Sequence, residues 1–401
     1  MKKINVLHVI TRLDKGGAPK NTLLTVSGLD KERYRVTLLS GPSRNPEEDL
    51  EERTTKAGVE CAVLDELVRP IRPWTDLRAV LKLARFMRRH KFHIVHTHTS
   101  KAGVVGRLAF LLARSPLLVH ASHGHVFTGF YGPVLSTILL WLDRFLSLFT
   151  HRIVALTRRG MEEQIHLGVA PRRKFAVVPS GVELERFTEA SVDAVAKREQ
   201  LGLPPVGPLL GVAAELDPRK GHRYLLEAMP LVLRRRPDAV LLVMGHGPLR
   251  QDLEARISLM NLEGSVRMLG HREDMPEMLS LLDVLVLPSL NEGMGRVVVE
   301  AMACAKPVVA SNVMGIPELV EDGVTGLLCR PADPQDLAEK ILRLLEDSEP
   351  ARKMGAAGKE RVYPRYDASR MVAAYEALYE ALLKEKGLLP ADHAKSGKAR
   401  P

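Results

Sequence analysis

The sequence predicts an α/β protein made of two Rossmann-like domains facing each other across a cleft, and three observations predict it. The chain has 401 residues, more than one hydrophobic core ordinarily supports, so two domains are the expected number. Short apolar runs bounded by turn residues alternate with longer helical stretches, the pattern of parallel strands covered on both faces. This alternation occurs twice, and Gly, Pro and charged residues crowd together between the two sets, over residues 179–207.

In the first set, buried strands are expected at residues 4–10, 35–40, 93–97, 117–121, 152–157 and 175–179, with helices such as 76–89 and 101–113 between them. In the second, strands are expected at 209–213, 240–244, 266–269, 284–288, 307–310 and 326–329, and helices at 224–235, 249–262 and 335–346. The resulting domains are residues 1–185 and 186–368, followed by a helix over 369–388 that crosses back to the first domain. Residues 389–401 are small and basic and are expected to be disordered.

Composition narrows the function classes. Hydrophobic residues are 45% and charged residues 26%, an ordinary globular balance. Cys61, Cys304 and Cys329 stand far apart with no C-x-x-C pair, which fits a reducing cytoplasm better than a disulfide scaffold. The apolar opening run is broken by Asn5 and His8, a poor signal-peptide core. The longest greasy stretch, residues 134–149, contains Asp143 and Arg144 and is too short to span a bilayer. Lys plus Arg is 58 against 48 for Asp plus Glu, and the +10 balance suits a phosphorylated substrate or an anionic membrane surface. Basic residues are scattered and aromatics are only 4%, which argues against a nucleic-acid partner. No H-E-x-x-H occurs, and no metal site is expected.

Ligands of open parallel sheets bind beyond the carboxyl ends of the strands. The segment PSLNEGMGRVVVEAMACAKPVVAS puts Glu292 in a loop after the 284–288 strand and Glu300 about one turn into the helix that follows, with seven residues between them. The adjacent Gly293 and Gly295 allow close backbone approach to a ligand. Two carboxylates suit a polyol, since each accepts several hydroxyl donors. Lys220, followed by Gly221 at a helix start, suits a diphosphate. His123 follows a strand directly and precedes Gly124. Gly16 and Gly17 follow the first strand and bring backbone N–H groups to the same layer. His98, Ser100 and Lys101 follow another strand there and are acceptor-site candidates.

These motifs resemble the family-four retaining glycosyltransferases of GT-B fold, the bacterial group-1 type. Eight segments carry the resemblance in order and spacing: DKGGAPKNTL, HTHTSKAGVVGRLA, HASHGHVFTGFYG, PSGVELERF, LDPRKGHRYLLEA, MGHGPLRQDLE, the two-glutamate segment and VEDGVTGLL. The resemblance implies metal-independent transfer of a hexose or related sugar from a nucleotide-sugar donor, with no cofactor, onto a glycan or lipid-linked acceptor. The first domain would take the acceptor and the second the donor. Glu292 would contact the transferred sugar, with Gly293, Met294 and Gly295 beside it. Glu300 would bind the ribose, and Lys220 would neutralise the leaving diphosphate. His123, rather than His120 or His125, would lie near the reacting sugar, and Gly17 would approach the donor. The base would be read partly by backbone near residues 270–272. One position departs from the family: Glu215 stands where a second phosphate-binding arginine is usual, so either Glu215 points elsewhere, or Arg219 substitutes, or donor binding is weaker here.

Rival readings fail on pattern or need a different test. An oxidoreductase requires G-x-G-x-x-G after a strand, and Gly245-His246-Gly247-Pro248-Leu249-Arg250 lacks the third glycine. A nucleotide-sugar epimerase of the same fold is the alternative, and needs no acceptor. The apolar residues of 127–149, with Arg85, Arg88, Arg89, Lys91, Arg107, Arg114, Arg158 and Arg159 in the same half, suggest a cytoplasmic enzyme resting on the inner face of a membrane.

Overall fold

The computed structural model describes residues 3–43, 55–124 and 132–389. His125, Phe127, Phe130, Tyr131 and the tail from residue 390 lie outside them. The chain forms two compact units: Met1–Gly181 with Ala368–Pro401, and Val182–Asp367. The divisions fall at 181/182 and 367/368 rather than at 185/186 and 368/369.

The first unit is built on a seven-stranded sheet of order β3-β2-β1-β4-β5-β6-β7. Its strands are β1 Ile4–Ile10, β2 Tyr34–Ser40, β3 Glu60–Val63, β4 Ile94–His98, β5 Leu117–Ala121, β6 Arg152–Ala155 and β7 Phe175–Val177. All pairings are parallel. β4 and β5 are buried along their whole length; β4 nevertheless carries His96, Thr97 and His98, and β5 carries His120, among its apolar residues. One face of the sheet packs on the Pro73–His90 helix through Ala79, Val80, Leu83, Ala84 and Met87 and on the Ser100–Ala113 helix through Ala102, Val105 and Ala109. The opposite face packs on Val26 of the Gly17–Gly28 helix and on the last helix, Ala368–Glu385, through Met371, Tyr375, Tyr379, Leu382 and Leu383. Each fully buried Val, Leu or Met side chain among them contributes about 1.5–3 kcal/mol.

The second unit holds a six-stranded parallel sheet of order β10-β9-β8-β11-β12-β13. Its strands are β8 Leu209–Ala213, β9 Val240–Met244, β10 Val266–Gly270, β11 Val284–Leu287, β12 Val308–Ser311 and β13 Leu327–Cys329. The chain enters and leaves this unit at one place: Val182 and Asp367 form a bridge, and Val182 N–H donates to the Tyr366 carbonyl at 2.9 Å.

β3 and the Ser348–Val362 helix are among the elements that the sequence pattern does not mark. β3, Glu-Cys-Ala-Val, is a short edge strand with exposed ends, and its brief apolar run between Glu60 and Asp65 does not set it apart from a loop. The Ser348–Val362 helix contains Gly355 and Gly358, which look like breakers. They are contact points instead: a Cβ on Gly355 would come 2.0 Å from the Ala305 carbonyl oxygen, and one on Gly358 3.0 Å from Met302 Cγ.

Both sheets reverse their strand order at a neighbouring pair, β1 beside β4 and β8 beside β11. A crevice opens at the carboxyl ends of such a pair, where successive connections leave in opposite directions. The candidate residues of each unit collect at these two points.

Candidate active site

In the second unit, β8 and β11 deliver Lys220 and Glu292 to one place. After β8 the chain makes a short turn, Pro218–Lys220, capped by the Asp217 side chain, which accepts from Arg219 N–H at 3.0 Å. Gly221 follows in the left-handed region, φ 66°, and a Cβ there would sit 2.0 Å from the Pro288 carbonyl oxygen. Only glycine permits that approach, which presses the turn against the end of β11. Leu290 N–H then donates to the Arg219 carbonyl at 2.7 Å. In the resulting geometry Lys220 Nζ lies 2.5 Å from Glu292 Oε2, and Ser289 Oγ donates to that same oxygen at 3.2 Å. Both side chains are largely enclosed, 20% and 13% exposed, so their charges interact more strongly than a surface pair would.

Glu300 lies on the Arg296–Ala303 helix, buried, with Arg296 Nη2 3.7 Å from its Oε1. Burial pulls the Arg296 guanidinium below its ordinary value, against the opposing charges of Glu300 and Glu183. Gly295 caps this helix at φ 83°, and a Cβ there would come 2.6 Å from Ile316 Cδ1. Met294 is buried and Gly293 half-buried. Glu292, Glu300 and the 293–295 backbone therefore share one strand–loop–helix junction.

Arg219 is engaged locally. Its Nε and Nη2 donate to the two carboxylate oxygens of Asp217 at 2.6 and 3.0 Å. Burial pushes the Asp217 carboxyl up, and the hydrogen bonds and charge of Arg219 outweigh it, so the group ends below its ordinary value. Glu215 is exposed in the same loop. The loops after β8, β9 and β10 stack: Gly245 N–H donates to the Gly270 carbonyl at 2.7 Å, and a Cβ on Gly245 would meet the Ala214 oxygen at 1.9 Å. Gly270 itself has φ 69°.

In the first unit, β1, β4 and the loop after β5 bring together His8, His96, His98 and His123. His98 Nδ1 is 3.0 Å from His123 Nε2, and His98 Nε2 is 2.9 Å from His8 Nδ1. His98 is fully buried with both ring nitrogens on other histidines. His123 has φ 50°, a left-handed conformation that costs a non-glycine residue free energy and fixes where its ring can lie. His120 is buried on the other side of β5, its Nδ1 3.0 Å from Thr97 Oγ1 and its ring filling the space beside Gly103. Gly17 begins the helix after β1, and Ser100 the helix after β4. Lys101 donates to the Pro70 carbonyl at 3.0 Å and pairs with Asp76, which holds it to the Pro73–His90 helix.

The sequence marks His98 and His123 singly, and His96 opens the HTHTSKAGVVGRLA segment, but nothing in it groups them with His8. Only the adjacency of β1 and β4 unites them.

The chain was compared with known proteins. The description "Glycosyl transferases group 1" matches residues 193–361, and "Glycosyltransferase Family 4" matches residues 15–186. The UDP-Gal:alpha-D-GlcNAc-diphosphoundecaprenol alpha-1,3-galactosyltransferase of Escherichia coli is 30% identical over 351 residues, 86% of this chain and 89% of that protein. The GDP-mannose-dependent monoacylated alpha-(1-6)-phosphatidylinositol monomannoside mannosyltransferase of Corynebacterium glutamicum is 37% identical over 198 residues, 47% of this chain and 51% of that protein. Among solved structures, HepE of Anabaena in complex with UDP and glucose superposes with a TM-score of 0.82 at 23% identity, covering 94% of this chain and 100% of that one. With both sheets at their switch points, the two family matches and a relative similar along most of its length, the chain belongs to the family-four glycosyltransferases of GT-B fold and is a nucleotide-sugar-dependent transferase.

Proposed function

We propose that the enzyme transfers a hexose or related sugar, with retention and without a metal ion, from a nucleoside-diphosphate sugar to a hydroxyl of a lipid-linked or envelope glycan. The observation that carries this reading is the Lys220–Glu292 pair at the β8/β11 switch point. A nucleotide sugar offers that pair what each member needs, an anionic diphosphate for the lysine and hydroxyl donors for the glutamate. The C1–phosphate oxygen bond breaks and a C1–acceptor oxygen bond forms on the same face of the sugar. The acceptor proton passes to the departing diphosphate oxygen. Lys220 stabilises the charge gained by the diphosphate, which is the point where positive charge lowers a barrier. Glu300 holds the ribose, and the 293–295 backbone and His123 orient the sugar. The expected result is an α-linked product from an α-linked donor, read from the anomeric proton coupling, at a rate unchanged by excess chelator. An inverted anomer would overturn retention, and activity lost in chelator and restored by manganese or magnesium would overturn metal independence. Donor consumed without acceptor, giving an epimer, would favour the epimerase reading instead.

A second feature supports an acceptor at a membrane. The Pro133–Ser147 helix buries only Leu146 and Ser147 fully. Val134, Ile138, Trp141, Phe145 and Leu148, on one stripe, are 74%, 56%, 63%, 50% and 69% exposed. Trp74, Leu77 and Leu81 make a second exposed stripe on the Pro73–His90 helix, a feature the sequence reading missed. Exposed Arg85, Arg88 and Arg89 end that helix. An apolar stripe beside positive charge suits an anionic leaflet. Arg107 does not contribute, being buried and paired with Asp143. The E. coli relative is named for an acceptor on diphosphoundecaprenol. In flotation assays the protein should rise with phosphatidylglycerol vesicles, less so in high salt, and Ile138→Glu with Trp141→Glu should remain at the bottom. Absence of flotation with any vesicle would point to a soluble acceptor.

A further inference from the structure

The face of the first sheet covered by the last helix holds a continuous run of polar rings ending at His123. Tyr379 of that helix sets its hydroxyl 2.6 Å from His96 Nδ1 and 3.4 Å from His8 Nε2. His8 Nδ1 lies 2.9 Å from His98 Nε2, and His98 Nδ1 lies 3.0 Å from His123 Nε2. His8, His96 and His98 are each 0% exposed.

The nitrogens of His8, His96 and His98 fall within 4.8 Å of one another, close enough to consider as metal ligands. The ring geometry points elsewhere. The His8 and His98 planes are within 14° of parallel with centroids 5.1 Å apart, so the rings meet edge to edge through the facing nitrogens. That is an N–H···N hydrogen bond sharing one proton, not two lone pairs converging on a third point.

Burial keeps these rings neutral: it draws His8 down to about 3, aided by the charge of Lys31, and holds His96 and His98 well below the ordinary histidine value, aided by neighbouring histidines. A neutral imidazole carries one N–H, and the tyrosine carries one O–H. His96 then decides the direction of the run, because its Nε2 is buried and has no hydrogen-bond partner among the described residues. If Tyr379 donated to His96 Nδ1, the His96 proton would sit on Nε2 as an unmet buried donor. If His96 donates from Nδ1 to the tyrosine oxygen, only an acceptor lone pair is left unmet, and native proteins tolerate that more readily. The tyrosine proton then turns to His8 Nε2. His8 donates from Nδ1 to His98 Nε2, and His98 donates from Nδ1 to His123 Nε2.

We propose that Tyr379, acting through His8 and His98, is a positioning residue that fixes His123 as its Nδ1–H tautomer, so that the ring meets the transferred sugar as a hydrogen-bond donor. The purpose rests on the sugar-side role proposed above for His123; the tautomer itself does not. Free neutral histidine prefers the proton on Nε2, so the run imposes the less common form. A donor at Nδ1 selects an acceptor oxygen on the sugar and holds it in one orientation.

The test uses the full chain labelled with nitrogen-15 at histidine. Long-range proton–nitrogen spectra, with the His123 signals identified by their loss in His123→Gln, report which nitrogen carries the proton. The expected wild-type result is His123 protonated at Nδ1. Tyr379→Phe should shift His123 toward the Nε2–H form and lower kcat by up to about a hundredfold, with nucleoside diphosphate affinity unchanged. His98→Gln, which breaks the run without touching the helix, should do the same if Tyr379→Phe fails to fold. A wild-type His123 protonated at Nε2, or one whose tautomer survives both substitutions, overturns the relay. The expected tautomers together with full turnover in His123→Ala would leave the relay standing and remove its proposed purpose.

Discussion

Lys220→Ala is expected to lower kcat by about 10²–10³, the usual consequence of removing one preorganised group aimed at developing charge. The lysine is held where the β8 turn meets the end of β11, and the close approach of Gly221 to Pro288 gives it little freedom to be replaced by a neighbour. Arg219, the nearest alternative cation, is held bidentately by Asp217. Glu292→Gln should also reduce turnover strongly, with less effect on nucleotide affinity, since its proposed role is toward the sugar. Because Lys220 and Glu292 contact each other, the double variant should lose less than the sum of the two single losses. Steady-state kinetics and nucleoside diphosphate titrations on all three variants measure this. A Lys220→Ala enzyme within a few-fold of wild type would remove the lysine from the reaction.

Glu300→Ala is expected to weaken nucleoside diphosphate binding about ten- to a hundredfold, the loss of a charge-assisted hydrogen bond worth roughly 1.5–3 kcal/mol. The substitution has a second consequence. Arg296 is largely buried with the carboxylate of Glu300 beside it, so removing the glutamate takes away one of the charges that oppose the cost of burying the guanidinium, Glu183 being another, and should lower thermal stability. Glu300→Gln keeps the volume and a carbonyl acceptor, and separates packing from charge. Calorimetry with the free nucleotide and thermal unfolding, run together, test both effects. Unchanged affinity in a folded Glu300→Ala protein would place the ribose elsewhere.

Most strands of this fold were legible because parallel strands buried on both faces are short apolar runs: residues 117–121, 209–213 and 240–244 have the same bounds in the structure. β3 and the Ser348–Val362 helix were not legible, the first because it is a short, partly exposed edge strand and the second because its glycines serve packing. At the site, Glu292, Glu300 and Lys220 were marked by their place after strands. What could not be seen was contact between distant segments, namely the Lys220–Glu292 pair, Asp217 holding Arg219, and the histidines joined by β1 and β4. Sequence spacing reports neighbours along one element; strand order decides neighbours between elements, and only folding reveals it.

The bridge between Val182 and Asp367 has a consequence for how the molecule is made. The second unit is an insertion, complete within 182–367, whereas the first unit lacks Met371, Tyr375, Tyr379, Leu382 and Leu383 until the final helix exists. Domains emerging from a ribosome ordinarily fold in the order they are synthesised. Here the later unit has its whole core in hand first, while the earlier one waits with an apolar sheet face uncovered. Termination just after residue 367 would therefore strand a finished second unit on an unfinished first one, and a cell's protein quality control would meet the beginning of this chain, not its end, as the vulnerable part.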